Sequence, residues 1–247
     1  MTARSETAAR RAAGTCVALL RALRAAVCDD PRALAELTLA ADELAAAAAS
    51  PLRAAAMPLA DHLEARERTR AARAGRVRGL MAGTDPDRLA VRADEAIDAC
   101  ERALEGAGCG TVGTEEGPVR LVDVVRALTI EARLLADRCG VVPDRAGAAQ
   151  ALRACSQVLG ERFGGLSIEL RVPPTTAVQL RAPGGGPVHH RGTPPNVVET
   201  DPDTFWALCT GALTWERAHE EHLLRVSGVH AAEVARMLPV VHADAAR

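Results

Sequence analysis

The chain has 247 residues, which is enough for one large domain or two small ones, each with a hydrophobic core. Its 30 basic side chains, all of them arginine, nearly balance 32 acidic ones, and its aromatic residues are two Phe and two Trp. Proteins that bind nucleic acids usually carry a surplus of positive charge and aromatic rings for base stacking, so this composition argues against that class.

Residues 1–142 show the three- and four-residue apolar spacing of amphipathic helices. Asp-Pro pairs at 30–31 and 85–86 each place a capping residue before a proline, which is a common start of a helix. An opening helix over about 5–28, another around 55–81 and an apolar stripe over Leu121–Leu135 bring the number of helices to five. This series predicts an all-α, up-and-down helical bundle.

The segment Gly106–Gly117 contains five glycines and lies between two of these helices. We interpret it as a flexible connection and not as a phosphate-binding loop, because no strand precedes it and no Gly-Lys-Ser/Thr motif follows it. The chain also lacks a GxSxG elbow, an HExxH motif and a dinucleotide fingerprint. Hydrolase, NTPase and dehydrogenase activities therefore have no support in its motifs.

The pattern changes after Pro143. A short helix is predicted over about 145–163, and Ser167–Val172 then alternates polar and apolar residues, as a half-buried strand does. Further strands are predicted at Val178–Leu180, Val188–Arg191, Val197–Thr200 and Leu223–Ser227.

Three more helices are predicted towards the C-terminus. Asp201 caps one that Gly211 ends, a second follows Thr214, and Ala231–Leu238 forms a closing helix. Strands and helices in this order, on a mainly antiparallel sheet of about five strands, make an α+β domain. The expected architecture is α+β with two domains: the helical bundle over 1–142, the α+β domain over 143–241 and a short tail over 242–247.

Seven cysteines are spread along the chain without a CxxC pair or a closely spaced histidine. This arrangement fits neither a zinc finger nor a disulfide framework, and it predicts reduced thiols that are mostly small core residues. The first residues are charged and lack the apolar stretch of a secretion signal, and no segment has about 18 consecutive apolar residues. We therefore expect a cytoplasmic protein without a membrane span.

Two stretches of the second domain are distinctive, IELRVPPTTAVQL at 168–180 and GPVHHRGTPPNVVETDP at 186–202. With the helices and strand that follow, they resemble the sterol carrier protein type 2 family, in particular its bacterial branch known from actinobacteria. The resemblance implies a sheet and helices that enclose an apolar tunnel for a small hydrophobic or amphipathic ligand. The candidate ligand-binding residues are Arg171, Val178, Arg191, Phe205, Trp206 and Trp215. The three aromatic residues fit a hydrophobic core, a tunnel lining or both.

Two stretches of the helical half, ADHLEARER with His62 and TIEARLLADR with Glu131, are similar to the DinB-like bundle of mycothiol-dependent maleylpyruvate isomerase and its relatives. Those bundles hold a divalent metal through a His on an early helix and a Glu-x-x-x-His pair on a later one. Leu135 stands where the pair requires a His. The resemblance implies zinc or another divalent metal and mycothiol as cofactors, with one of three protein ligands missing.

Glu131 and His62 each have two interpretations. Glu131 lies on the apolar face of its helix, between Leu128 and Leu135, where a carboxylate needs a partner. That partner is either a metal ion shared with His62 or an arginine from a neighbouring helix, and a zinc site with three protein ligands lacks a donor here. His62 shares a face with leucines, so it is either a metal ligand or a histidine of the core.

Other polar clusters give weaker signals. The adjacent His189 and His190 lie on a predicted strand, so their side chains point to opposite faces and cannot hold one ion together. His219 and His222 have a helical spacing that suits a metal, but no third ligand is evident and surface positions are expected. The arginine run from Arg66 to Arg78 can attract an anion but is most simply a solvated helix face.

Three functions remain open. The first is a protein without intact metal-dependent catalysis, whose second domain binds a small hydrophobic ligand while the bundle covers the pocket or mediates association. The second is a mycothiol-dependent metalloenzyme of the isomerase or S-transferase type, in which Arg171 or Arg191 binds a substrate carboxylate. The third is a structural protein whose tunnel is filled by side chains.

The surroundings of His62 and Glu131 distinguish the first function from the second. In an enzyme, His62 and Glu131 converge on an open cavity, whereas in a binding protein Glu131 is paired with an arginine and covered by Leu135. The sequence leaves the oligomeric state and the identity of the ligand open.

Overall fold

The computed structural model describes residues 3–182 and 196–241, with side chains from residue 6 onward. The chain divides into two compact units, Met1–Ala151 and Leu152–Arg247. The predicted strand Val188–Arg191, with both of its histidines, and the tail 242–247 lie outside the described residues. None of the helices in the described segments has the length and apolar character that a bilayer crossing requires.

Helices dominate the first unit, as its apolar spacing predicts. Before the second unit begins, the described residues form α1 (Ala3–Ala26), α2 (Pro31–Ala48), α3 (Leu59–Met81), α4 (Pro86–Gly106) and α5 (Leu121–Arg138). The Asp30 carboxylate caps α2 by accepting a hydrogen bond from the backbone N–H of Ala33. Small and aliphatic buried residues let α2 pack against α4 and α1 against α5. The prediction of a helical first half is confirmed.

The glycine-rich segment is ordered in part and is not the flexible connection that its composition suggests. β1 (Thr111–Thr114) and β2 (Gly117–Arg120) form an antiparallel hairpin with buried valines. The hairpin also bonds to the segment before α3, where the backbone N–H of Met57 donates to the carbonyl of Pro118. This segment is non-helical, so α3 begins at Leu59 and not near residue 55.

The second unit combines a sheet with short helices, and α6 spans the division between the units. These elements are α6 (Arg145–Phe163), β3 (Gly164–Val172), β4 (Thr176–Leu180), β5 (Asn196–Thr200), α7 (Pro202–Thr210), α8 (Trp215–Glu220), β6 (Leu224–Ser227) and a closing 3₁₀ helix (Ala231–Met237). Asp201 caps α7 by accepting from the backbone N–H groups of Asp203 and Thr204. Gly211 ends α7 in the left-handed conformation, with φ of 74°.

The sheet is mixed, which differs from the expected, mainly antiparallel sheet of about five strands. Its order is β4-β3-β5-β6, with β3 parallel to β5 and both outer pairs antiparallel. Alternation of polar and apolar residues shows which face of a strand is buried but not the direction of its neighbours. The α+β class itself is confirmed, with four strands in this sheet among the described residues.

The two faces of this sheet differ in polarity. The buried face carries Ile168, Leu170, Val172 and Val198. The alternate residues of β3, Glu169 and Arg171, face the other side. α6 packs against the buried face, where Gly160 approaches Val178 so closely that a Cβ on the glycine would lie 3.2 Å from the valine side chain.

Candidate functional site

One side of α3 carries polar side chains where a bundle helix usually presents apolar ones. His62, Arg66, Thr69, Arg73 and Arg76 follow one another at four- and three-residue spacing, so they lie on one stripe of the helix. His62 and Arg66 are buried, and the other three are partly buried. This stripe is therefore part of the interior of the helical unit.

Four charged side chains from three helices form an alternating ring of salt bridges. Arg66 of α3 binds Glu131 of α5 through Nε and Nη2, at 2.7 and 2.8 Å, and its Nη2 also lies 2.9 Å from Glu43 of α2. Arg73, two turns further along α3, binds both carboxylates at 2.8 to 3.1 Å. Each carboxylate thus contacts both guanidinium groups. We call these four residues the salt-bridge ring.

The hairpin turn extends the ring on one side. Arg76 binds Glu43 of the ring and Glu115 of the turn, at 3.0 and 2.6 Å. The side chain of Glu116 is only 3% exposed, and its carboxylate lies 4.0 Å from Nη1 of Arg66. The ordered hairpin therefore brings carboxylates to α3, which a flexible connection would not do.

The salt bridges fix the charge of the groups at the centre of the ring. Burial alone would raise the pKa of the Glu131 carboxyl, but the charges and hydrogen bonds of Arg66 and Arg73 lower it to about 2. Burial would lower the pKa of Arg66, and its two carboxylate partners instead raise it above its ordinary value. Burial likewise acts to raise the pKa of Glu116, and the charge of Arg66 gives a net decrease. Glu131 and Arg66 are therefore ionised throughout the neutral range.

His62 lies one turn before Arg66 and is fully buried. Neither its Nδ1 nor its Nε2 has a hydrogen-bond partner among the described residues, which is uncommon for a buried polar group. Burial and the charge of Arg66 lower the pKa of His62 to about 4, although Glu116 and Glu131 act in the opposite direction. The imidazole is therefore neutral at pH 7, with a lone pair on one ring nitrogen.

Glu131 adopts the second of the two arrangements that the sequence leaves open, because it is paired with arginines. Its side chain is 27% exposed, and Leu135, one turn later, is buried. The divalent metal implied by the DinB-like resemblance does not fit these residues. Both carboxylate oxygens of Glu131 are bound by guanidinium groups, and Leu135 offers no donor. Within the described part of the chain, no three His, Cys, Asp or Glu side chains are grouped so that they could hold a metal.

Sequence reasoning did not single out Glu43 and Glu116. The available signal was the seven-residue separation of Arg66 and Arg73, which places both on the side of α3 that carries His62. The interpretation of the arginine run as a solvated face is wrong for Arg66 and Arg73. It is confirmed for the exposed members Arg68, Arg70 and Arg78.

Four of the candidate ligand-binding residues lie in apolar surroundings. Phe205 and Trp206 on α7 are both buried, whereas we expected that only one of these neighbours would face inward. Val178 is half-buried against α6, and Trp215 packs on the apolar cluster of Leu208, Ala218 and Leu224. Phe205 and Trp206 therefore belong to the interior of the second unit, and Val178 and Trp215 are partly buried beside apolar residues.

The polar candidates lie elsewhere. Arg171 is on the polar face of the sheet, where its Nε donates to Glu169 at 3.0 Å. It is therefore separated from the apolar candidates by the sheet itself. Arg191 lies outside the described residues, and His219 and His222 are exposed, as surface positions predict.

A small cleft in the first unit has a volume of about 20 Å³ and lies between α1, the end of α4 and α5. Its lining is mainly apolar and includes Arg10 and Cys109, but neither His62 nor Glu131. A space of this size holds about one water molecule. It is not the open cavity that the metalloenzyme hypothesis requires.

The second unit contains a four-stranded mixed sheet, with the capped helix α7 directly after β5. Residues 144–240 match the protein family described as bacterial SCP ortholog. This match confirms the resemblance inferred for the second domain, and the C-terminal segment is an SCP-like domain.

The chain is also similar to two solved structures, both of mycothiol-dependent maleylpyruvate isomerase. A histidine-to-alanine mutant is 14% identical, with 91% of this chain and 92% of that chain covered and a TM-score of 0.47. The other structure is 14% identical, with 83% and 87% covered and a TM-score of 0.44. Likenesses this distant carry no argument about activity. No curated protein matches the chain significantly.

Proposed function

We propose that this protein binds a small hydrophobic or amphipathic ligand through its SCP-like domain, and that its helical unit has no metal-dependent catalysis. The match of residues 144–240 to the bacterial SCP family is the observation that carries the proposal. Sterol carrier domains of this type are associated with an apolar tunnel, and a lipid-like ligand is the chemistry that such a tunnel accepts.

The interior of the domain supplies suitable surroundings. Phe205 and Trp206 are buried on α7, and Val178 lies on the buried face of the sheet. A hydrocarbon ligand gains about 25 cal/mol for each Å² of apolar surface that it removes from water. Side chains of this kind stabilise the empty domain as its core and a bound ligand as its lining.

The salt-bridge ring supports this function over the metalloenzyme. A metal-dependent isomerase or S-transferase would need Glu131 free to bind an ion. In the ring, this carboxylate accepts hydrogen bonds from Arg66 and Arg73, and separating a buried ion pair costs on the order of 3 kcal/mol. We therefore assign no metal ion to Glu131, and the metalloenzyme for which mycothiol was expected loses its metal ligand.

We further propose a cytoplasmic location. All seven cysteines are free, including the buried pair Cys155 and Cys209, whose thiols interact with each other. A cytoplasmic location requires that these neighbouring thiols stay reduced. Thiol titration of the unfolded protein, purified from its native cells without reductant, should find all seven. A lower count would contradict this location.

Tryptophan fluorescence tests ligand binding directly, because both tryptophans, Trp206 and Trp215, lie in the SCP-like domain. A dansyl-labelled fatty acid should show saturable energy transfer from these indoles, and excess unlabelled fatty acid should reverse it. Trp215→Phe keeps Trp206 as the donor and should retain the transfer. Without saturable transfer, and without a co-purified small molecule in native mass spectrometry, the proposal fails.

A further inference from the structure

One buried hydroxyl group of the SCP-like domain has no hydrogen-bond partner among the described residues. Ser156 on α6 is 4% exposed, and its Oγ neither donates to nor accepts from any of them. A serine or threonine within a helix can donate to the carbonyl four residues earlier, as Thr129 of α5 does to Val125. Ser156 does not, and an unpaired hydroxyl that is shielded from water costs free energy.

The neighbours of Ser156 on α6 show which way this part of the helix faces. Cys155 contacts Cys209 of α7, and Gly160 lies against Val178 of β4. Ser156 follows Cys155 and lies about 40° from Gly160 around the helix axis, since successive residues of an α-helix are about 100° apart. Its side chain therefore points between α7 and β4, towards the buried face of the sheet.

Apolar side chains flank Ser156 along this side of α6. Leu152 and Leu159, one turn before it and one turn after it, are both buried. In such surroundings a charged headgroup would lose more hydration free energy than one hydroxyl can return, whereas a neutral oxygen needs only one or two hydrogen bonds. The position therefore suits the hydroxyl or carbonyl oxygen of an otherwise apolar molecule.

Ser167 on β3 shows, by contrast, a paired hydroxyl in the same domain. It is fully buried, and its Oγ donates to the carbonyl of Leu180 at 3.2 Å and accepts from the backbone N–H of Ala182 at 2.8 Å. These two bonds join β3 to the end of β4. Ser156 makes no bond of this kind among the described residues, so its hydroxyl is available to a bound molecule.

We propose that the Ser156 hydroxyl binds a neutral oxygen of an otherwise apolar ligand inside the SCP-like domain. It then makes the domain prefer an alcohol or a carbonyl compound to a hydrocarbon-like molecule of the same length. This inference rests on the proposed function, because it requires a ligand between α6, α7 and the sheet. It adds the chemical class of that ligand and the residue that selects it.

Displacement of the dansyl-labelled fatty acid by n-decanol, methyl nonyl ketone and n-decyl chloride tests this preference. The chloride is similar in length but has almost no capacity for hydrogen bonding. Ser156→Ala should weaken the binding of the oxygen compounds about tenfold and leave the chloride within about twofold of wild type. A loss for decanol alone would identify a hydroxyl ligand, and a loss for the ketone alone a carbonyl ligand.

Gln157→Ala is the matched control on the same helix. It removes the neighbouring polar side chain, whose amide donates to the exposed Glu161, and should leave the affinities for all three compounds unchanged. Ser156→Cys keeps a side chain of similar size with a much weaker hydrogen-bonding group, so it should lose the preference as Ser156→Ala does.

Thermal unfolding without ligand gives a second readout. Ser156→Ala removes an unpaired hydroxyl and should keep or raise the Tm, whereas Ser167→Ala breaks two hydrogen bonds and should lower it. A clear fall in the Tm of Ser156→Ala would show that the fold itself pairs the hydroxyl, and the proposal would be wrong. Unchanged affinities of Ser156→Ala for all three compounds would overturn it too, but would leave the proposed function intact. A protein that bound neither these compounds nor the dansyl-labelled fatty acid would contradict both.

Discussion

A buried histidine that stays neutral makes the stability of the fold depend on pH. Burial and the charge of Arg66 lower the pKa of His62 from 6.5 to about 4, against the opposing effects of Glu116, Glu131 and Asp123. Below pH 6.5 the unfolded chain takes up a proton that the folded chain does not accept until about pH 4. The free energy of unfolding therefore falls as the pH decreases through this window, by about 2 kcal/mol from pH 7.5 to pH 5.

Urea denaturation of wild type and His62→Leu at these two pH values measures the effect. The variant lacks the titrating group, so its free energy of unfolding should not fall with that of the wild type. The difference, variant minus wild type, should be about 2 kcal/mol more positive at pH 5 than at pH 7.5. His219→Ala changes an exposed histidine and should follow the wild type. Parallel pH profiles for wild type and His62→Leu would contradict the burial of a neutral imidazole.

The salt-bridge ring makes Glu131 important for stability. Glu131→Gln keeps the shape of the side chain but leaves Arg66 with less compensation for its buried charge. We expect the free energy of unfolding to fall by about 3 kcal/mol. This is the low end of the range for buried ion pairs, because Glu131 is 27% exposed. Glu67→Gln, which breaks an exposed pair with Arg70, should cost less than about 0.5 kcal/mol. Similar costs for both variants in guanidinium denaturation at pH 7 would argue against the ring.

At the scale of elements, the hairpin depends on one glycine. Gly117 has φ of 124°, and a Cβ at this position would lie 2.8 Å from the terminal methyl of Met57. Gly117→Ala should therefore destabilise the fold by about 1 to 2 kcal/mol. Gly110→Ala, with no heavy atom within 4 Å of the added Cβ, should be nearly neutral. Thermal unfolding followed by circular dichroism compares the two, and an equal Tm would show that the turn tolerates a side chain.

The elements that the sequence located best carry local signals. Asp30 and Asp201 mark the starts of α2 and α7 because a capping side chain bonds to the next turn of its own helix. The burial of one side of α3, in contrast, could not be predicted from the residues of α3 alone. Its inner stripe holds arginines that look like a solvated face, and only Glu43 and Glu131, on helices distant in sequence, show that this stripe is interior.

At the scale of the whole molecule, the change of periodicity near Pro143 and the TPPNVVETDP stretch predicted a helical part followed by an SCP-like domain, and the structure and the family match confirm both. The direction of the central strands was not predictable, because the alternation along a strand is the same for both directions. The sequence also did not show that Arg171 lies on the polar face of the sheet. This placement depends on which face α6 and α7 cover, and packing between distant segments decides that.

The two-part organisation also predicts where a mutation will leave ligand binding unchanged. Glu131 belongs to the first unit, whereas the SCP match covers residues 144–240. Glu131→Gln, tested where circular dichroism shows it folded, should bind the dansyl-labelled fatty acid with the wild-type Kd. Val178→Asp should weaken binding at least tenfold, since a carboxylate that an apolar ligand covers loses its hydration at a cost of more than about 1.4 kcal/mol. Val91→Asp, on an exposed position of α4, controls for the added charge. If folded Glu131→Gln lost the fatty acid, the ring would be part of the binding site, and the separation of roles between the two units would be wrong.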